Sequence, residues 1–254
     1  MARNLDWDTL ISSHAPAALI EAAIDGPVST TDGLEVLAPV VSQEVWAAGV
    51  TYYRSRDARI EESQGNGAHT FYDYVYRSER PELFFKATGR RVVGPNSGVR
   101  IRSDAKWSVP EPELTLVINP AGMIIGYTVG NDMSARDIEG ENPLFLPQAK
   151  IYDGSCALGP CILLRSEPLP DGTKITMTIE RGEKCVFAES TTLAELKRSP
   201  TKLVEYLFRD NSFPQGVFLM TGTGIVPNEG FTLQCSDMIS IQIDEVGILK
   251  NYVK

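Results

Sequence analysis

Residues 110–132 read PEPELTLVINPAGMIIGYTVGND: two apolar, strand-like runs joined by an Asn-Pro-Ala-Gly turn, with acids at the open end. Such a pattern predicts a β-hairpin, with Asn119–Gly122 as its turn. Residues two apart on a strand point the same way, so Glu111 and Glu113 share one face. Pro112 holds Glu111 extended. Two carboxylates that close repel, and a divalent cation between them is the simplest remedy. Asp132, at the end of the second run, is the candidate third ligand. Oxygen donors without histidine or thiolate suit Mg²⁺ or Mn²⁺ better than zinc, with Ca²⁺ also allowed. The same residues also suit a solvated strand edge, with Asp132 capping the segment after it.

Outward from this hairpin, short β-like runs recur from Val45 onward between Gly, Pro, Asn and Asp: VWAAGVTY, CILL, KITMTIE, VFLMTG and MISIQI. They do not alternate with helices of 10 to 15 residues, which argues against a doubly wound α/β fold. Ser199, Pro200 and the stripe Leu203, Val204, Leu207 and Phe208 predict one helix lying over a sheet. The expectation is an α+β, mostly β domain over residues 44–254 with a small N-terminal appendage, residues 1–43. In that appendage Ser12-Ser13 caps a helix carrying Leu19, Ile20, Ala23 and Ile24, ended by Gly26 and Pro27. The tract from Arg54 to Thr70 reads as a mobile loop.

The chain has 254 residues, a formal net charge of −9 and a pI near 4.9. This acidity argues against nucleic acid as a partner, because phosphate neutralisation needs clustered Lys and Arg. No apolar run approaches the roughly 20 residues that cross a bilayer, and MARNLDWDTL has no signal-peptide pattern, so a cytoplasmic protein with no membrane partner is expected. Cys156, Cys161, Cys185 and Cys235, with His14 and His69, form no zinc set. The four thiols are expected to be reduced and structural.

Four ordered segments, E-x-E-L at 111–114, GYTVGNDMSARD at 126–137, KIYDGSCALGP at 150–160 and TGTGIVP at 221–227, together resemble the fumarylacetoacetate hydrolase family over about residues 45–250. The resemblance implies a mixed β-sandwich roll assembled as a homodimer or homotetramer. It implies Glu111, Glu113 and Asp132 as ligands of Mg²⁺, with Mn²⁺ or Ca²⁺ as substitutes. Lys150 would stand beside the substrate and Thr223 at its carboxylate.

The departures from the family pattern bear on the reaction. Where many of its hydrolases carry G-x-N-Y-x-x-H-x-x-E, this chain has Thr51, Ser55 and Ala58 for the Asn, His and Glu. The water-activating pair is missing; His69 with Glu61 or Glu62 is the one local substitute. Glu139 stands where an amide is usual, either as a proton carrier or, like Glu141, as a solvated loop acid. RPELFFKAT, RSDAKWSVPEPEL and RDNSFPQGVFLMTGTGIVP resemble the branch of the family that dehydrates 2-keto-3-deoxy pentonates such as 2-keto-3-deoxy-D-arabinonate to 2-oxoglutarate semialdehyde.

Such a dehydration needs a base for the C3 proton and an acid for the C4 hydroxyl. Lys150 is the first candidate, as proton carrier or as a fixed cation, and Glu139 the second. Position and chemistry add Arg54, Tyr52 and Lys86 as binders of substrate oxygens. The partner implied is a small 2-keto acid. The rival readings are a C–C hydrolase or decarboxylase acting on an acylpyruvate-like diketo acid, and a non-catalytic metal-binding scaffold.

Overall fold

The structure is a computed structural model that describes residues 5–24, 33–54, 74–228 and 230–254. Among these residues the strands are β1 (Glu44–Gly49), β2 (Glu82–Thr88), β3 (Val92–Val93), β4 (Gly98–Val99), β5 (Ser108–Val109), β6 (Pro112–Ile118) and β7 (Ile124–Asp132). They continue with β8 (Ser134–Ala135), β9 (Cys156–Leu164), β10 (Lys174–Arg181), β11 (Lys184–Thr192), β12 (Val217–Met220), β13 (Met238–Ile243) and β14 (Gly247–Val253). A seven-stranded sheet has the order β2-β1-β12-β6-β7-β9-β3 and faces a five-stranded sheet, β11-β10-β13-β14-β4; β5 and β8 form a small ladder beside them. β1 pairs with β12 in parallel, so the large sheet is mixed. This is the mixed β-sandwich roll expected, a mostly β α+β fold.

β6 and β7 lie near the middle of the large sheet and are buried along almost their whole length. That explains their apolar runs, since a strand covered on both faces has no polar side to alternate with. Leu114, Leu116, Tyr127 and Val129 join Ile175, Met177, Ile179, Ile239 and Ile241 of the small sheet in the main core. Val117 points the other way, into a second cluster with Val45, Ala47, Phe218 and Ile11. The turn is the predicted one: Gly122 N donates to Asn119 O at 2.9 Å, and Asn119 Oδ1 accepts from the Ala121 and Met123 amides. Thr115 therefore faces Thr128 and Glu113 faces Gly130, which fixes which side chains meet at the hairpin's open end.

Helix Pro200–Leu207 forms as read, with the Ser199 side chain accepting from Lys202 N and with Leu203, Val204 and Leu207 buried in the main core. The N-terminal region differs from expectation. Ser12 ends a first helix, Trp7–Ser12, capped by Asp6, and a second helix, Pro16–Ala23, starts at the proline, whose fixed φ suits a first helical position. Its start is thus set by Pro16, not by a Ser12-Ser13 cap. Ile11 packs against β1 and β12, and Asn119 Nδ2 donates to Ser13 O, so the first helix is tied to the large sheet. Gly26, Pro27, Ser55, Ala58, Glu61, Glu62 and His69 lie outside the described residues. The four cysteines are unpaired; Cys156 is buried and the other three are exposed, so only Cys156 has a structural place.

Leu116 is fully buried between the sheets. Leu116→Ala is expected to lower the unfolding free energy by about 2–5 kcal/mol, read by urea denaturation.

Candidate functional site

The hairpin register gathers the acids. Asp132 N donates to Glu111 O at 2.9 Å, so the entrance of β6 and the exit of β7 lie side by side. Gly130, opposite Glu113, leaves room for the Thr115 and Met220 side chains, which an added Cβ would meet. Glu111, Glu113 and Asp132 each offer one oxygen within 4.8 Å of the others, and all three residues are at most 4% exposed. Like charges about 4 Å apart repel by about 4 kcal/mol at an effective dielectric of about 20, so this cluster persists only with compensation.

Three buried cations supply much of it. Lys150 Nζ donates to Glu111 Oε2 at 2.7 Å, Asp132 Oδ2 at 3.1 Å and Ser134 Oγ at 2.6 Å. Arg136 Nη2 donates to Glu111 Oε1 at 2.6 Å. Lys86 Nζ forms an ion pair with Asp132 Oδ1 and donates to Met133 O at 3.0 Å and Lys150 O at 2.5 Å. Lys150 ends the short helix Leu146–Lys150, and Arg136 begins another, Arg136–Glu141. Three formal negative charges thus face three formal positive ones.

The compensation is uneven. Glu113 has the Gly222 amide as its hydrogen-bond donor, at 2.5 Å, and no lysine or arginine in contact among the described residues. Burial, with repulsion from Asp132 and Glu111, pushes its carboxyl well above the ordinary value, and Lys150 offsets only part. A buried carboxylate without its own cation, in reach of two more, is the chemistry of a divalent cation site. Glu111, Glu113 and Asp132 fit Mg²⁺, a hard ion that takes oxygen donors.

The Gly222 amide is itself held in place. Gly222 has φ +93°, which favours glycine, and an added Cβ would collide with the Thr51 side chain. Thr51 Oγ1 donates to Thr221 O at 2.6 Å, anchoring the carbonyl of the peptide whose N–H points at Glu113. Thr51, which replaces the hydrolase Asn, is here part of the scaffold of the acid cluster.

The cleft above the acids is lined by Ala48, Gly49, Val50, Phe84, Arg136, Lys150, Gly222 and Thr223. Thr223 Oγ1 is turned back on Ile225, donating to its carbonyl at 3.1 Å and accepting from its amide at 3.2 Å. Phe84 places its ring centroid 5.8 Å from Lys150 Nζ. Tyr52 is fully buried and its phenol is pushed up by burial and by the Glu113 charge. It lines a neighbouring groove with Arg54, whose guanidinium meets Glu189 at 3.4 Å on the surface. Lys86 lies beneath the acids and out of the cleft lining. Glu139 is fully buried, one helical turn beyond Arg136, and is not a solvated loop acid; Glu141 is exposed. The Cys156 thiol, opposite Asp132 on β9, is pushed up to about 12 chiefly by burial and is no nucleophile.

Ser134, Arg136, Gly222 and the anchoring role of Thr51 were missed from the sequence. The first two had a signal: Asp132, Ser134 and Arg136 alternate along an extended segment, and period two puts them on one side. Gly222 and Thr51 gave none, because their contacts cross long stretches of chain.

The sequence model of the fumarylacetoacetate (FAA) hydrolase C-terminal family matches residues 62–254. This chain belongs to that family. Within it, the chain is 46% identical over 216 residues to a protein of Haloferax volcanii described as a probable 2-keto-3-deoxyxylonate dehydratase, covering 85% of this chain and 73% of that one. It is 41% identical over 223 residues to the 2-dehydro-3-deoxy-D-arabinonate dehydratase of Saccharolobus solfataricus, covering 87% and 75%. A solved 2-keto-3-deoxy-D-arabinonate dehydratase complexed with magnesium and 2,5-dioxopentanoate superposes with a TM-score of 0.86 at 35% identity, covering 99% of this chain and 89% of that one.

A carboxyl with a raised folded pKa binds its proton more tightly in the folded state, so its contribution to stability is lost as pH rises above the ordinary value of 4.5. Glu113→Gln mimics the protonated form. In metal-free protein at pH 7–8 it is expected to raise the melting temperature, while Mg²⁺ no longer shifts it. A lower melting temperature for the metal-free variant would contradict the crowding.

Proposed function

We infer that this chain is a Mg²⁺-dependent dehydratase of 2-keto-3-deoxy sugar acids, converting a 2-keto-3-deoxy pentonate to 2,5-dioxopentanoate (2-oxoglutarate semialdehyde) and water. The observation that carries this reading is the likeness, over nearly the whole chain, to a dehydratase solved with magnesium and that dioxo acid, joined to the buried triad Glu111, Glu113 and Asp132. Mn²⁺ or Ca²⁺ can take the same oxygen donors.

A divalent cation held by the triad supplies Lewis acidity to the carboxylate and keto oxygen of a 2-keto acid, which makes the C3 proton labile. Thr223 and Arg136 border the cleft where the carboxylate binds, and Phe84 shields its wall from water. Lys150 keeps its ammonium charged between Glu111 and Asp132 and faces the oxygen on which negative charge develops. With Lys150 held as a cation, the remaining candidate for taking the C3 proton and returning one to the departing C4 hydroxyl, so that water leaves, is Glu139, which lies one helical turn behind Arg136, outside the cleft lining, and must turn toward the cleft to reach substrate. The resulting 3,4-alkene bears an allylic alcohol at C5; moving a proton from C5 to C3, with ketonisation of the C5 enol, gives the aldehyde. We assign Tyr52 and Arg54, which line the neighbouring groove, to the hydroxylated tail.

No step requires an activated water nucleophile, in keeping with Ser55 and Ala58 in place of a hydrolase His and Glu. The free cysteines suit a reducing cytoplasm, and the family resemblance favours a homodimer or homotetramer working in pentose degradation.

Incubation of the pure protein and Mg²⁺ with D- and L-2-keto-3-deoxy pentonates is expected to yield 2,5-dioxopentanoate from at least one, and EDTA to stop it. Pyruvate released from an acylpyruvate, with no product from either pentonate, would overturn the assignment. Glu139→Gln is expected to lower kcat by about 10²–10⁴ with little change in KM. Near-normal kcat would move the proton transfer elsewhere.

A further inference from the structure

Lys86 was expected to bind substrate oxygen, yet it is fully buried at the floor of the site and absent from the lining of the cleft. Its ammonium is surrounded by three protein oxygens: the Asp132 carboxylate, Met133 O and Lys150 O. Two of its three N–H donors go to the Met133 and Lys150 carbonyls, and the ammonium meets the Asp132 carboxylate as an ion pair, so its charge is directed at Asp132 and not into the cleft. The three oxygens are not equivalent. Asp132 is a member of the acid triad, Met133 follows it in the chain, and the Lys150 carbonyl belongs to the residue whose ammonium meets Glu111 and the other Asp132 oxygen.

We propose that Lys86 is a positioning residue: it fixes the Asp132 carboxylate and the Lys150 backbone against each other, so that Asp132 meets the cation in one orientation. The inference rests on the reading of Glu111, Glu113 and Asp132 as the cation site. Lys86 enters from β2, at the edge of the large sheet, whereas Asp132 ends β7 near its centre. The clamp therefore joins three segments distant in sequence. Ser155 Oγ also donates to Lys150 O at 2.9 Å, which holds the same carbonyl from the other side.

Charge and position predict opposite signs. If Lys86 mattered only as a positive charge, removing it would leave the site more negative and divalent cations would bind more tightly. If it positions Asp132, removing it frees the carboxylate to turn away, and binding weakens by about 10–100-fold, as for other outer partners of metal ligands.

The probe is Mn²⁺, titrated into metal-free protein and followed by electron paramagnetic resonance. Wild-type protein is expected to bind one Mn²⁺ per chain; failure there would remove the cation site itself, separately from the role of Lys86. Given wild-type binding, Lys86→Met is expected to weaken Mn²⁺ at least about tenfold, and at saturating Mn²⁺ to lower kcat far more than it alters KM. Equal or tighter Mn²⁺ binding overturns the proposal.

Removing one partner of a buried ion pair can prevent folding, whereas replacing both is better tolerated. Lys86→Met is therefore also compared in an Asp132→Asn background. Positioning through Asp132 predicts Mn²⁺ affinity within about threefold of Asp132→Asn alone. A further loss of about tenfold or more in that background would overturn the route through Asp132.

Discussion

Everything in this site follows from three carboxylates held out of water with oxygens within 4.8 Å of one another. The β6–β7 hairpin makes that unavoidable: its register puts Asp132 beside Glu111, and its central position denies the acids solvent. The fold answers with Lys86, Lys150 and Arg136, each brought in by a different element. Among the described residues Glu113 receives only a backbone N–H, and this asymmetry leaves the constellation suited to one more positive ion.

The same charge count connects structure to reaction. Without a metal ion the six groups are formally neutral. A 2-keto acid brings one negative charge and gains a second as its C3 proton leaves. A divalent ion in the triad makes the site doubly positive, which matches that state better than the starting acid. Stabilising the charge that develops, more than the charge already present, is what lowers a barrier.

Much of this was legible in the sequence because it is local. Glu111 and Glu113 needed only the two-residue period of a strand, and Asp132 needed only the Asn119–Gly122 turn, since a hairpin fixes its own register. The helix at 200–207 likewise carried its cap and apolar stripe within ten residues. What escaped reading was set by tertiary contact. Lys86 looked like an available cation and is buried against Asp132; Glu139 had an open reading as a loop acid and is inside. Thr51 was read only as standing where hydrolases of the family have Asn, and its hydroxyl holds the peptide that points at Glu113. The second helix was misplaced because two serines suggested a cap, while Pro16 three residues on set the start.

The central claim is that this constellation makes the proton next to a keto group labile before anything leaves. A direct measurement uses a 2-keto acid lacking the C4 hydroxyl, 2-oxopentanoate, in deuterated water, with proton NMR of the C3 position. The account predicts exchange of the C3 protons above the solvent rate with enzyme and Mg²⁺, and none above it with EDTA. Failure of C3 to exchange in an enzyme that dehydrates the pentonate, with bound 2-oxopentanoate established by competition, would contradict it.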